Sequence, residues 1–472
     1  MKACLVNPSL SVDILYGDWD LSMVDTISPP LGLLLLAAVV RQKGYSVSLI
    51  DAYAQKLSAE TTAKRILAQS PEVVGLTATT PAIHSVAKLA KIVKNYNQKI
   101  KIVVGGPHIT AVPEETFKLF PQFDIGVIGE GEETFVELLD CLVHKKSVSP
   151  SVKGIIFREK DRIFITDRRN TYLNMDSLPL PAWDLLPPLI SPYQMSIMGS
   201  LSNRSTAIIT SRGCPGSCTF CDSSVFGRNF RAYSADYVLR MFDYLINEYR
   251  VKDFIIYDDN FVTDRERAKQ ICQILFEKKY NISWSCCARL DMVNPELLSL
   301  MKKAGCWQIE YGIESGNSKI LESMNKKITG EQIGQVLEWT KKAGIMTRGN
   351  FIFGYLGETK ETLKETLKFI LDAKLDYLQQ SFFTPYPQTQ AYRIAAEYGK
   401  VNLDWNKMNN LTINFIPKGL TERDLIYFSK VAFIKFYLRP KIILTHFKQL
   451  WSRKKLKQFV IVLLAFIKTI LR

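Results

Sequence analysis

The sequence predicts an α/β protein built from a doubly wound parallel sheet, then a partial six-stranded β/α barrel, then a helical tail. Three observations predict it. The first 145 residues alternate short β-branched apolar runs with amphipathic stretches, a second such series begins near Ala207, and residues 425–472 mix apolar and basic patches with no Asp or Glu. A chain of 472 residues has room for several domains, at roughly 150 residues each. Its composition, 47% hydrophobic and 23% charged, excludes disorder, collagen and coiled coil.

In the first unit (1–145) the strand-like runs are Lys2–Val6, Val47–Asp51, Val73–Thr77, Lys101–Val104 and Ile125–Ile128. Parallel strands covered on both faces read as continuous apolar runs rather than as alternation. Helical periodicity marks Leu31–Lys43, Ala59–Gln69, Ile83–Tyr96, Glu114–Leu119 and Glu133–His144 between them. Ligands of such sheets sit beyond the carboxyl ends of the strands. Here those ends read TATTP (Thr77–Pro81), GGPH (Gly105–His108) and GEGE (Gly129–Glu132), with a long NPS…SPPLG loop after the first strand. Glycines there let backbone approach a ligand closely.

Residues 146–199 read as a linker holding a hairpin (Gly154–Phe157, Ile163–Thr166) and the proline-rich stretch Leu178–Pro188. The barrel unit, 200–397, follows with the strands AIITS, DFIIYDD, ISWSCCAR, WQIEYGIES, TRGNFIFGY and YLQQSFFTP, separated by helices such as Ala235–Tyr249, Arg265–Lys278 and Pro295–Ala304. Six strands are fewer than the eight of a closed barrel. The remainder, 398–472, is the C-terminal region.

Immediately after the first barrel strand comes SRGCPGSCTFC, which places Cys214, Cys218 and Cys221 in C-x3-C-x2-C spacing. A structural zinc requires a fourth ligand, yet the next cysteine is Cys272 and no histidine lies between His144 and His446. Nine cysteines in so long a chain lack the density of a disulfide scaffold and favour a reducing compartment. A 4Fe–4S cluster on three thiolates leaves one iron open for chemistry, and this reading fits the triple best. Cys4, Cys141, Cys272, Cys286, Cys287 and Cys306 read as core.

Three such cysteines opening a partial barrel resemble the radical S-adenosylmethionine (SAM) superfamily over about Ser200–Glu397. The resemblance implies that SAM chelates the open iron and yields a 5′-deoxyadenosyl radical. It implies that Phe220 lies beside the adenine, that Arg289 pairs with the SAM carboxylate, that Glu314 accepts ribose hydroxyls, and that Asn350 and Gly354 cradle the adenosyl group. In YDDNF, Asp258, Asp259 and Asn260 stand where that superfamily usually has a glycine-rich edge for the SAM amino group. Each polar residue also has a bland reading: Asp258 as a helix cap, Arg289 with Glu314 as a buried ion pair. With no histidine in the barrel, Tyr257, Tyr311 and Tyr355 are the remaining proton-donor candidates.

The whole chain order resembles the cobalamin-binding radical SAM proteins, the group containing anaerobic magnesium-protoporphyrin ester cyclase and hopanoid methyltransferases. The runs that carry this are SPPLG (Ser28–Gly32), GGPHITAVPEE (Gly105–Glu115), GEGEETF (Gly129–Phe135), LPAWDLL, and FYLRPK (Phe436–Lys441). By that resemblance Thr77, Thr79, Gly105, Gly106, Gly129 and Gly131 hold cobalamin. The D-x-H-x-x-G motif that gives cobalt a histidine is absent, so base-off cobalamin without a protein histidine ligand is expected; His108 reads as a loop or cap histidine. GVIGEGE is not an ordered G-x-G-x-x-G, which argues against a nicotinamide site. The implied function is radical methylation of an unactivated carbon on a hydrophobic small molecule. The alternative is a radical cyclase or oxidoreductase of the magnesium-protoporphyrin cyclase type. Either needs both domain mouths on one cavity and a low-potential electron donor such as flavodoxin or ferredoxin.

The net charge of +15 is concentrated in the tail: 425–472 holds eleven Lys or Arg, leaving +4 on the rest. Nucleic acid is therefore not an expected partner. Phe459–Ile467 is nine apolar residues, against about twenty needed to span a bilayer. The tail reads as a helix on an anionic membrane surface or as one docked on the barrel. The N-terminus shows no charged leader before an apolar core; a cytoplasmic protein, peripheral at the inner membrane surface, is expected.

Overall fold

A computed structural model describes residues 1–10, 27–144, 152–159, 162–170, 174–188, 193 and 199–449. The first sheet comprises β1 (Lys2–Asn7), β2 (Ser46–Asp51), β3 (Val73–Thr77), β4 (Lys101–Gly105), β5 (Ile125–Val127), β6 (Ile155–Glu159) and β7 (Arg162–Ile165), in the order β2-β1-β3-β4-β5-β6-β7. The first five are parallel and the last two antiparallel. The hairpin expected within the linker thus continues the sheet, because Ile155 and Ile156 bury their side chains as the parallel strands do. Strand order reverses between β1 and β3, the place where such sheets open a ligand crevice.

Alternate residues of the strands feed two apolar layers. Ala3, Leu5, Val73 and Val103 face one, and Cys4, Val6, Val74 and Val104 face the other. The first layer does not stop at the sheet. It runs through the helix Leu31–Gln42 and the linker residue Trp183, fully buried, to Tyr237, Phe242 and Phe254 of the barrel unit. The proline-rich linker is fixed in this wedge by the Ala182 N–H donating to Leu34 O (3.0 Å) and by an Arg41–Asp184 ion pair at 2.6 Å.

The barrel sheet comprises β8 (Ser205–Ile208), β9 (Asp253–Ile256), β10 (Ser283–Ala288), β11 (Cys306–Glu314), β12 (Met346–Phe353) and β13 (Tyr377–Phe382), adjacent in chain order and all parallel. Its outer face is apolar: Trp284, Cys286, Ile309, Tyr311, Ile313, Phe351 and Phe353 pack under the helices. On β10 to β12 the intervening Ser285, Gln308, Glu310 and Arg348 turn polar side chains to the inside.

The helix Glu422–Tyr437 buries Leu425, Phe428, Ala432 and Phe436 against the barrel. Tyr437 Oη accepts from the Leu378 N–H (3.2 Å) and donates to Leu378 O (3.1 Å), so it occupies backbone groups of the edge strand β13. The docked reading therefore holds for this part of the tail. Residues 450–472, with Phe459–Ile467, lie outside the described residues. Among the described residues no helix is long and apolar enough to cross a membrane.

Candidate functional site

Cys214, Cys218 and Cys221 lie on the loop leaving β8, at the carboxyl edge of the barrel sheet. The loop is pinned from below by Asp258. That carboxylate accepts from Thr210 N (2.5 Å), Thr210 Oγ1 (2.5 Å), Ser211 N (3.0 Å) and Ser211 Oγ (2.6 Å). From the side, Asn325 Nδ2 donates to Ser217 O (3.0 Å) and Oγ (2.7 Å). Desolvation, then the charges of Cys218, Asp259, Cys214 and Asp222, push the Cys221 thiol up to about 12. A thiolate set formed there needs compensating cations, which is what iron supplies. A Cβ on Gly216 would stand 2.8 Å from Arg289 Nη1 and 3.3 Å from Cys214 Sγ, so the glycine keeps the space beside the thiols open. Among the described residues no three His, Cys, Asp or Glu side chains converge as the ligands of one ion would.

Arg289 follows β10. Its Nε and Nη2 donate to Asp291 Oδ1 and Oδ2 (3.0 and 2.8 Å), while Nη1 is the atom beside Gly216 and Cys214. Glu314 does not pair with it. Its Oε1 instead meets Lys326 Nζ at 2.8 Å, both side chains nearly enclosed. Burial works against the Lys326 ammonium, but Glu314 and Cys218 outweigh it and hold the pKa above the ordinary lysine value. Lys326 also stands 6.0 Å over the Phe220 ring, which packs edge-on against Tyr355. A side chain at Gly312 would collide with Glu314 Oε1. Glu314 has φ +70° at an irregularity in the β11–β12 register, backbone strain of about 1–3 kcal/mol of the kind held at functional sites. Lys326 was not foreseen; it lies in a loop beside Lys327, with no pattern to single it out.

The three residues of YDDNF separate. Asp259 is exposed at the rim and is held by the Gly213 backbone N–H. Asp258 and Asn260 are buried, which corrects their reading as groups that touch SAM. Asp258 spends its oxygens on the cysteine loop. Asn260 accepts from the Arg289 N–H (2.9 Å) and donates to Thr263 Oγ1 (2.7 Å), so it positions the arginine. Asn350 donates to Glu310 Oε1 at 2.6 Å and leaves its buried Oδ1 without a partner, an acceptor waiting for a donor. Gly354 has φ +81°, and a Cβ there would meet Leu425 of the C-terminal helix at 3.1 Å. Helix docking and backbone conformation therefore account for this glycine.

At the first sheet's edge, side chains give way to backbone. Gly106 has φ +100°, and a Cβ there would lie 2.9 Å from Ala78 O and 3.0 Å from Thr77 Oγ1. The loops after β3 and β4 are thereby locked together, with Ala78 N donating to Gly105 O at 2.9 Å. Thr79 is exposed at the rim. Gly129, at φ +84°, has open space where a side chain would be, and Gly105 and Gly131 have no neighbour closer than 3.8 Å to such an atom. This bare edge fits a large ligand held through main-chain groups. His108 is fully buried. Its Nδ1 and Nε2 lie 3.3 and 3.1 Å from Thr80 Oγ1 and Thr116 Oγ1, and its ring packs 4.5 Å from Trp405. Burial, then His84, pushes its pKa down to about 3. A neutral histidine with both nitrogens engaged is a core residue, neither a cap nor a cobalt ligand.

The two edges face each other. Arg212, two residues before Cys214, bonds Glu130 (2.5 Å) and Glu132 of the GEGE turn, and Arg231, just beyond the loop, reaches Glu130 at 2.6 Å. All four side chains are at least nine-tenths buried. Ser28 of the first unit lies 3.3 Å from Tyr257 Oη of the barrel. The two carboxyl edges thus meet in direct contact. Of the three tyrosines, Tyr311 bonds Thr340 in the outer core and Tyr355 bonds Thr219, while Tyr257 lines the barrel's interior cavity.

A family model described as B12 binding domain matches residues 21–139, and one described as Radical SAM superfamily matches 208–370. The chain is 35% identical to an uncharacterized methyltransferase of Pyrococcus horikoshii over 89% of this chain and 90% of that protein. It is 27% identical to the anaerobic magnesium-protoporphyrin IX monomethyl ester cyclase of Rubrivivax gelatinosus, over 90% and 77%. The radical SAM methyltransferase TsrM of Kitasatospora setae, solved with cobalamin and a [4Fe-4S] cluster, superposes with a TM-score of 0.69 at 15% identity, covering 93% of this chain and 89% of that one.

Proposed function

The chain belongs to the cobalamin-binding radical SAM family, and from that premise we propose that it is a methyltransferase acting on an unactivated carbon of a small molecule. Its cofactors are a 4Fe–4S cluster, SAM and cobalamin. When bound, they supply a 5′-deoxyadenosyl radical and a transferable methyl group. The observation that supports the proposal is the buried Glu130/Glu132–Arg212/Arg231 clasp, which joins the GEGE edge of the first sheet to the loop that carries the cysteines.

In this reading Cys214, Cys218 and Cys221 bind the cluster. Arg289, through Nη1, and Asp259 bracket the amino-acid end of SAM. Glu314, held by Lys326, accepts the ribose hydroxyls, with Phe220 beside the base. Thr77, Thr79 and the glycines at 105, 106, 129 and 131 line the corrin. Flavodoxin or ferredoxin supplies electrons, and the basic tail beyond Gln449 rests on an anionic membrane surface; loss of vesicle binding on deleting 450–472 tests the latter.

The deciding experiment incubates the anaerobic, reduced holoenzyme with methyl-labelled SAM and a desalted small-molecule extract of producing cells. Label in a new product, with 5′-deoxyadenosine formed, supports methyl transfer. Deoxyadenosine and an altered product without label overturn it in favour of the cyclase or oxidoreductase reading, which the Rubrivivax relative favours.

A further inference from the structure

A filled β/α barrel carries branched apolar side chains inside. This one does not. Cys287 on β10, Glu310 on β11 and Arg348 on β12 stand side by side in register, and Gln308 and Gln379 flank them. With Tyr257 they line a cavity of about 310 Å3. The Arg348 guanidinium lies 5.7 Å from the Tyr377 ring centroid and 3.5 Å from Glu310 Oε2, while Glu310 Oε1 accepts from Asn350. Apart from Asn350, none of these groups was assigned to the cluster, SAM or cobalamin.

The lining holds one fixed cation and one carboxylate. The two pair with each other at 3.5 Å and so balance, and a ligand with net charge would bring an uncompensated charge beside them, which is unfavourable. A hydrocarbon would strip water from the amides, guanidinium and carboxylate and return no hydrogen bond. What satisfies both constraints is a net-neutral group with an anionic acceptor for Arg348 and a cationic donor for Glu310. We propose that the barrel lumen is the acceptor's pocket and that it takes an α-amino-acid head group, carboxylate on Arg348 and ammonium on Glu310. Arg348 is the third residue of β12 and Gln379 the third of β13, so the anchor sits low in the barrel. The rest of the molecule then points to the carboxyl edge, where Tyr257 and the cysteine loop stand. This inference rests on the radical SAM reading of the barrel and replaces the hydrophobic acceptor that the resemblance implied with one that is polar at its inner end.

The test is calorimetric. Holoenzyme saturated with SAM, so that its own amino-acid site is filled, is titrated with the standard amino acids, with their N-acetyl and methyl-ester forms, and with farnesol as an apolar probe. At least one free amino acid is expected to bind, and blocking either end to weaken it by about tenfold or more. Arg348→Gln and Glu310→Gln are each expected to do the same, with SAM affinity within about twofold of wild type. Arg348→Lys, which keeps the charge, is expected to restore part of the binding. Binding only of forms blocked at one end assigns the head group to a larger molecule attached there and retains the unblocked contact, as the matching variant verifies. No binding by any amino-acid form, binding indifferent to both variants, or farnesol binding equal in wild type and Arg348→Gln overturns the proposal. Failure of wild type to hold iron or SAM counts against the family reading instead.

Discussion

The two parallel sheets of this protein solve different problems with the same strand chemistry. The first sends alternate side chains into two apolar layers and leaves its work to the loops at its edge, where glycines and threonines offer backbone. The second is apolar throughout its outer face; inside, Gln308, Glu310 and Arg348 on β11 and β12 take positions that a filled barrel gives to aliphatic residues. A sheet closed on both faces can hold a ligand only at its rim, whereas a half-lined barrel can also take one within.

The largest effect that separates the two comes from the cysteines. Replacing Cys214, Cys218 or Cys221 by Ala should abolish iron retention and SAM cleavage while leaving cobalt binding by the first unit intact, as metal analysis of one preparation would reveal. Loss of both metals together would mean that the units do not hold cofactors independently.

Next is the clasp that joins them. Arg212→Met leaves Glu130 and Glu132 enclosed with one cation fewer, a loss of about 3–5 kcal/mol, measurable by denaturant unfolding. Adding Glu132→Gln should return part of that stability, because the two residues are coupled. Additive losses would contradict the network. Within the barrel rim, Lys326→Met should weaken SAM about tenfold, or about 1.4 kcal/mol, with iron content unchanged. An unaltered SAM affinity would remove Lys326 from the site.

The pH-dependent effects are opposite in sign in the two units. Burial pushes the Glu358 carboxyl in the barrel up to about 8 from 4.5, against the hydrogen bonds from Gly354 and Tyr355. Between those values the folded chain keeps a proton that the unfolded chain releases, so this group's contribution falls as pH rises through that window. His108 in the first unit is pushed from 6.5 down to about 3. There the unfolded chain binds the extra proton, and its contribution is lost as pH falls from about 6.5 toward 3. Thermal melts across pH should show Glu358→Gln removing the alkaline slope and His108→Gln the acid one. Parallel shifts in both variants would refute the assignment.

What was legible in the sequence follows the same division. Strand and helix periodicity gave both sheets, because an apolar run between turn residues is a local property. The cysteine triple, Arg289, Asp259 and Glu314 drew notice because they fall at or just beyond strand ends, and the structure sets Arg289 beside Cys214. Asp258 and Asn260 fall there too, yet they turn inward, and nothing local distinguishes them from Asp259. The Glu130–Arg212 and Glu314–Lys326 pairs join residues distant in the chain or hidden in a lysine run. The polar lumen did leave a trace. In WQIEYGIE every second residue is polar or glycine, an alternation foreign to strands covered by apolar layers on both sides.

The clasp also has a consequence in time. The first sheet is complete once Ile165 has been made, before the first barrel strand at Ser205 exists, and domains near the N-terminus fold first during synthesis. Glu130 and Glu132 therefore wait in water, on a finished surface, until Arg212 and Arg231 emerge. The older half of the molecule acts as a template on which the cysteine-bearing loop is received, and the order of translation becomes the order of assembly.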